Sequence, residues 1–334
     1  MRRRRSSAQA RVVATACALA ALAGPAIPTV MRGQGGLARE GALFLLIPVG
    51  ARSVGLGQAV VAGEPGSEGL WGNPASLARL KKRELAISHS TSLTGNLDAL
   101  VFVLPEGRAG VVSLGAYILN YGQQPNTDLF GTVIGASYPK NILVAASYAA
   151  TFGPRVRAGL TYKFIQDRQE CSGDCTAIQS HVASTHAFDV GVQVAAEDAG
   201  RLTFGAALRS LGLALQINDV EQADPLPARL HIGTQYVVPN VEKAVDGGEL
   251  RLSAEVVSRI AFDQSSLRAG AEFAYKKQFY ARVGFASGND SAAGISIGLG
   301  VDRGGIAIDF ARSTGGISSD AGIPPTYVTL RFRF

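Results

Sequence analysis

The sequence predicts an all-β fold: a transmembrane outer-membrane barrel of about 14 antiparallel strands with an N-terminal hatch. Three observations predict it. Segments of about ten residues alternate apolar with polar or small side chains, an export leader precedes them, and the last segment ends in an aromatic residue at the C-terminus. The composition agrees: 40 glycines, 47% hydrophobic and only 17% charged residues leave little for a polar cytosolic surface or for disorder.

The leader comes first. Arg2 to Arg5 precede an apolar run from Val12 to Leu22 and then small residues and prolines, so residues 1–34 read as a signal peptide. The run is too short to span a membrane as a helix. Six of the 32 basic residues lie in this leader, which has no acid. The remainder balances at 26 basic against 26 acidic, and nucleic acid drops out as a partner.

The strands follow from residue 83 to 334. From Arg155, Val156, Ala158, Leu160, Tyr162 and Phe164 share one parity while Arg157 and Lys163 fall on the other. The same dyad recurs at 229–237, 249–258, 267–275 and 293–302. A secreted sandwich also alternates, but its strands run to about 5–6 residues. Fifteen candidates run from 85–92 to 326–334, and bacterial barrels favour even numbers, so Gly131 to Tyr138 is expected to be loop or inward-folded chain. With the C-terminus periplasmic, the long connections 166–184, 211–227 and 313–325 fall outside. The inner parity carries mixed charge, including Lys163, Asp189, Glu255, Glu272, Arg282 and Asp309, and is expected to lock shut around the plug. Tyr117, Ala207 and Val257 are its few apolar members. Tyr121, Tyr138, Tyr148, Phe152, Tyr236, Tyr275 and Tyr280 supply a thin aromatic girdle. Phe332 and the terminal Phe334 end the last dyad, and resemble the signal that outer-membrane barrels present to the barrel assembly machinery.

Residues 35–82 do not alternate and read as the hatch. They hold Arg52, Ser53, Gly55, Gly57 and Ala59, then Trp71, Asn73, Pro74, Ala75 and Leu77. Asn73 before Pro74 is held out of the α region and is placed to cap a short helix that Pro74 begins. This pairing of segments resembles the hatch of the PorV/PorQ family, a branch of the FadL-like outer-membrane barrels. Gly159 to Lys163 and Phe188 to Gly191 resemble its strand motifs. The resemblance implies a role in type IX protein secretion, with secreted cargo and surface attachment components as partners besides outer-membrane lipid. The alternative is a FadL-like passive transporter of hydrophobic small molecules that leave through a gap in the wall.

Enzymatic motifs dissolve on inspection. Gly294 to Gly298 matches Gly-x-Ser-x-Gly inside a single strand, where a nucleophile elbow needs a strand, a turn and a helix. Ser137 and Lys140 flank a proline that denies them a helical face. No cofactor or metal is expected, because the histidines lack ligand spacing apart from His181 and His186 near the cysteines. In an exported chain Cys171 and Cys175 are expected to form a small disulfide loop. The outer loops 166–184 and 211–227, the second with Asp219, Glu221 and Asp224, are the expected partner surfaces.

Overall fold

The computed structural model describes residues 40–175, 180–197, 200–217, 223–262, 264–288 and 293–334. The signal peptide read over 1–34 lies outside these, as do Asp219 and Glu221. The first strands are β1 Glu84–Ser92, β2 Gly95–Pro105, β3 Val111–Asn120, β4 Gln124–Thr127, β5 Val133–Phe152, β6 Val156–Gly173 and β7 His181–Ala195. There follow β8 Leu202–Gly212, the short pair β9 Leu215–Gln216 and β10 Ala223–Asp224, β11 Arg229–Val238 and β12 Gly248–Arg259. The last five are β13 Ser265–Tyr275, β14 Phe279–Ala286, β15 Gly294–Arg303, β16 Ile306–Ser313 and β17 Thr326–Arg333.

Fourteen of these strands close a barrel. Each pairs antiparallel with its neighbours, and β1 pairs β17 from Glu84↔Arg333 to Thr91↔Thr326, which leaves no open edge. The dyad does what it predicted: along β7 buried and exposed residues alternate without a break. The exposed parity is a sheath of Val, Leu, Ile and Phe, a surface that only lipid can cover without cost. The glycine turn at 304–305, the 153–155 turn and the C-terminus lie at one end of the barrel. The longer connections 213–228 and 314–325 lie at the other.

Three expectations need correction. Gly131 to Tyr138 is not inward-folded chain: from Val133 it is the distal part of one 20-residue strand, β5, paired there to β4 and β6. Pro139 obscured this in the sequence. Its carbonyl accepts from Tyr121 N–H, so its nitrogen faces the gap between β3 and β4, where no ladder donor is needed. The connection expected at 166–184 is mostly strand, because β6 runs to Gly173 and β7 begins at His181. Two tyrosines leave the girdle. Tyr280 stacks inside against the guanidinium groups of Arg52 and Arg282, and Tyr121 donates to Asn141. Tyr148, Phe152, Tyr236 and Tyr275 do face outward, all near the C-terminal end of the barrel.

Candidate functional site

The barrel is filled by residues 40–80, and glycines decide where that chain can lie. On the inner face Gly159 pairs with Gly191, Gly205 with Gly233, and Gly270 with Gly284. Each pair leaves a groove without side chains, and a piece of hatch occupies it. A Cβ on Gly159 would meet the Pro74 backbone at 2.5 Å, one on Gly205 the Val61 carbonyl at 2.3 Å, and one on Gly284 the Gly57 nitrogen at 1.9 Å.

Hydrogen bonds then fix the hatch to the wall. Its irregular backbone needs partners once buried. The Val60 and Val61 N–H groups both donate to Glu255 at 2.9 Å, Ala51 N–H donates to Thr329 Oγ1 at 2.9 Å, and Gly57 N–H donates to Ser296 at 3.2 Å. Gln193 Nε2 donates to the carbonyls of Val61 and Gly63. The hatch motif read from sequence sits within this framework. Arg52 reaches Glu272, Ser53 donates its backbone and hydroxyl to Glu68, and Gly55 packs against Gly298. Asn73 caps the helical turn Pro74–Arg79 by accepting from Ala75 N–H at 3.0 Å, while its amide donates to Val61 O at 2.6 Å. Burial pushes the Glu68 carboxyl up, against the pull of Arg331 and of the Ser53 donors.

Charges seal one end. Arg282 bridges Glu272 at 2.6 Å and Asp309 at 2.7 Å, Arg52 adds a second cation on Glu272, and Arg331 a second on Asp309. These groups lie in the half of β13 to β17 nearest the C-terminus. Inner charges expected from the sequence to lock together do pair here, in the densest such cluster, and Lys163–Asp189 and His231–Glu255 pair farther from the C-terminus.

The other half stays hollow. A cavity of about 570 Å³ reaches from mid-barrel to the ends of β11, β12 and β13 that face away from the C-terminus. One wall is apolar, made by Leu45, Ile47, Val49 and Trp71 of the hatch with Tyr117 and Leu143 of the barrel. Trp71 and Phe44 both pack edge-on to Tyr117, with ring centroids at 5.5 and 6.4 Å. The rest of the lining is largely polar, with Lys163, Arg209, Ser210, His231 and Glu255. Lys163 is paired with Asp189 at 2.6 Å and His231 with Glu255 at 2.7 Å. Arg209 Nε and His231 Nε2 are buried without hydrogen-bond partners.

At that wall the ladder is broken. The β7–β8 register shifts between Phe188 and Val190, where Arg209 and Ser210 together oppose Asp189. Ser210 adopts φ 57° and donates its N–H to Asp189 at 2.7 Å. The bulge touches the cavity inside and lipid outside.

The remaining sequence candidates lie elsewhere. Cys171 and Cys175 form a disulfide at the distal end of β6. Phe332 pairs with Leu85 and Ile306, and Phe334 donates its N–H to Arg83 O at the opposite end. Sequence reading missed the apolar run Leu43 to Val49 and the acids Glu40, Glu68 and Glu255 as hatch partners. The run was visible as seven consecutive residues without a polar side chain, but its lack of period gave it no element.

No protein-family model matches the sequence, and no curated protein matches it. Solved structures do. The Ralstonia pickettii toluene transporter TbuX aligns at 15% identity over 85% of this chain and 98% of its own, with a TM-score of 0.56. The P. putida toluene transporter TodX gives 12%, 85%, 98% and 0.58, and a Pseudomonas aeruginosa FadL homologue 11%, 86%, 98% and 0.51. The chain has the FadL-type fold. At these identities the likeness is one of backbone architecture.

Proposed function

We propose that this FadL-type barrel is a passive channel carrying hydrophobic small molecules across the outer membrane, with no chemistry of its own in the transport step. The cavity carries the reading. It reaches the ends of β11, β12 and β13, and its apolar wall joins Leu45, Ile47, Val49 and Trp71 of the hatch to Tyr117 and Leu143, apolar residues of an inner face that is otherwise polar. The solved structures described as toluene transporters support the same reading. The charged cluster around Arg282 blocks the straight route to the periplasm, so the ligand leaves sideways at the β7–β8 bulge, into the bilayer.

Trp71 makes this testable, because it is the only tryptophan in the chain and it lines the cavity. Toluene and a long-chain alkane titrated against the detergent-solubilised protein should change its fluorescence saturably, and vesicles containing the protein should take up the same ligand faster than empty ones. The cargo-shuttle reading implied by the PorV/PorQ resemblance makes a different forecast. Secreted proteins would co-purify from outer membranes, and the Trp71 signal would stay flat with either ligand.

A further inference from the structure

The outer wall of β1 and β2 carries an arrangement that transport does not use. His89 and Asp98 are cross-strand partners, as are Thr91 and Asn96, and all four are exposed on the lipid-facing parity. His89 Nδ1 lies 2.7 Å from Asp98 Oδ1, and His89 Nε2 lies 3.3 Å from Thr91 Oγ1. A carboxylate only accepts, so Nδ1 carries the proton. Nε2 is left facing the threonine hydroxyl. An acid orients an imidazole, which faces an alcohol: these are the roles by which a nucleophilic triad is recognised, whatever the chain order.

The register also places it in depth. One row across the wall reads Arg312, Thr326, Thr91, Asn96 and Asn120, all polar. The row below it reads Phe310, Val328, His89, Asp98 and Ile118, and the next is apolar, with Ile87 and Leu100 about half exposed. The group therefore stands where the apolar band ends, on the side away from the C-terminus. That is the level at which ester carbonyls of membrane lipids lie. Asn96, directly across from Thr91 on the same exposed face, carries a side-chain amide, the kind of donor an oxyanion needs.

We infer that Thr91, His89 and Asp98 form a lipid-facing acyl-ester hydrolase site, independent of the cavity. Thr91 Oγ attacks the ester carbonyl carbon while its proton passes to His89 Nε2. The tetrahedral intermediate collapses, the C–O bond to the lipid alcohol breaks, and that alcohol leaves with the proton from His89. Water then attacks the acyl-threonine, giving its proton to His89. The free acid is released and the proton returns to Thr91.

All three residues are exposed on a closed ladder, so their substitution leaves the barrel intact, which a heat-shifted gel band verifies. The full chain in mixed micelles of dioleoylphosphatidylcholine and non-ionic detergent is assayed for oleate release, and labelled with a fluorophosphonate whose site is read by peptide mass. Thr91→Ala and His89→Asn should each lower release by about 100-fold or more. Thr91→Ser, which keeps the hydroxyl and frees it of the methyl group, should retain or raise it, and the label should sit on residue 91. Release by the unaltered chain no greater than by Thr91→Ala overturns the assignment, as does labelling elsewhere that survives Thr91→Ala.

Discussion

Asn73 is the most connected polar side chain of the hatch: it caps one turn and ties Val61 to the helical segment, with no exposure to water. Asn73→Ala removes the cap and leaves the Ala75 N–H buried without it, while the Val61 carbonyl keeps its bond from Gln193. A loss of about 1–2 kcal/mol follows from the lost cap. Urea-dependent protease cleavage within 40–80 should begin at lower denaturant in the variant, and an unshifted midpoint would show that the glycine grooves alone hold the hatch. Glu40 works differently, because it sits at the outer rim between Arg229 and Arg259, at 2.7 and 2.9 Å. Burial acts to raise its pKa, but bonding to Arg229 and the charges of both arginines outweigh this and hold it below the ordinary 4.5. The sign is that of a depressed acid. Its contribution is complete above about pH 4.5 and is lost as the pH falls through the lower folded value. Protease access to the first hatch residues should rise on acidification in the unaltered chain and be high at every pH in Glu40→Gln.

Elements show what a sequence can and cannot disclose. The barrel strands were legible because burial on one face enforces a period of two, which survives in each segment on its own. The split of β5 at Pro139 failed for a local reason: a strand-breaking residue is harmless where the neighbouring strand has ended, and only the register shows that. The hatch was legible as a segment and at the Asn73 cap. Its path was not, because it depends on inner-face glycines from strands up to about 240 residues away in the chain. Gly159, Gly205 and Gly284 look like spacers in sequence and are seats in the structure. Gly284→Ala sets a methyl group against the Gly57 nitrogen, with backbone on both sides and nothing flexible to yield. About 1–3 kcal/mol of overpacking should loosen the hatch while leaving the wall paired. Hydrogen exchange should quicken around 55–61 and stay slow in β13 and β14; equal quickening in both would mean that hatch and wall form one cooperative unit.

At the scale of the whole molecule, closure joins the two ends of the barrel sequence. β1 finds β17 across 234 residues, from Ser92 to Thr326, so the last strand must be in place before any edge disappears. Deletion of Phe334 removes the N–H that reaches Arg83 at this seam, along with the terminal aromatic. The fraction of heat-shifted, folded barrel recovered from outer membranes should fall several-fold. Normal recovery would place the assembly signal upstream, at Phe332 or Tyr327. The division of the lumen into a charge-locked half and a hollow half is a property of this scale too, since neither the parity of a strand nor the hatch motif contains it.

β5 and β6 are longer than any bilayer requires. Twenty residues at about 3.3 Å each, tilted by roughly 40°, rise about 50 Å, against an apolar band of about 25 Å. The distal half of this hairpin, braced by β4 and crowned by the 128–131 turn, is a mast that stands clear of the apolar band. The side chains of Leu129 and Phe130 at its tip are fully exposed. With the C-terminus on the periplasmic side, this tip is an epitope on the outer side, and a peptide tag spliced there would be displayed without disturbing a wall contact.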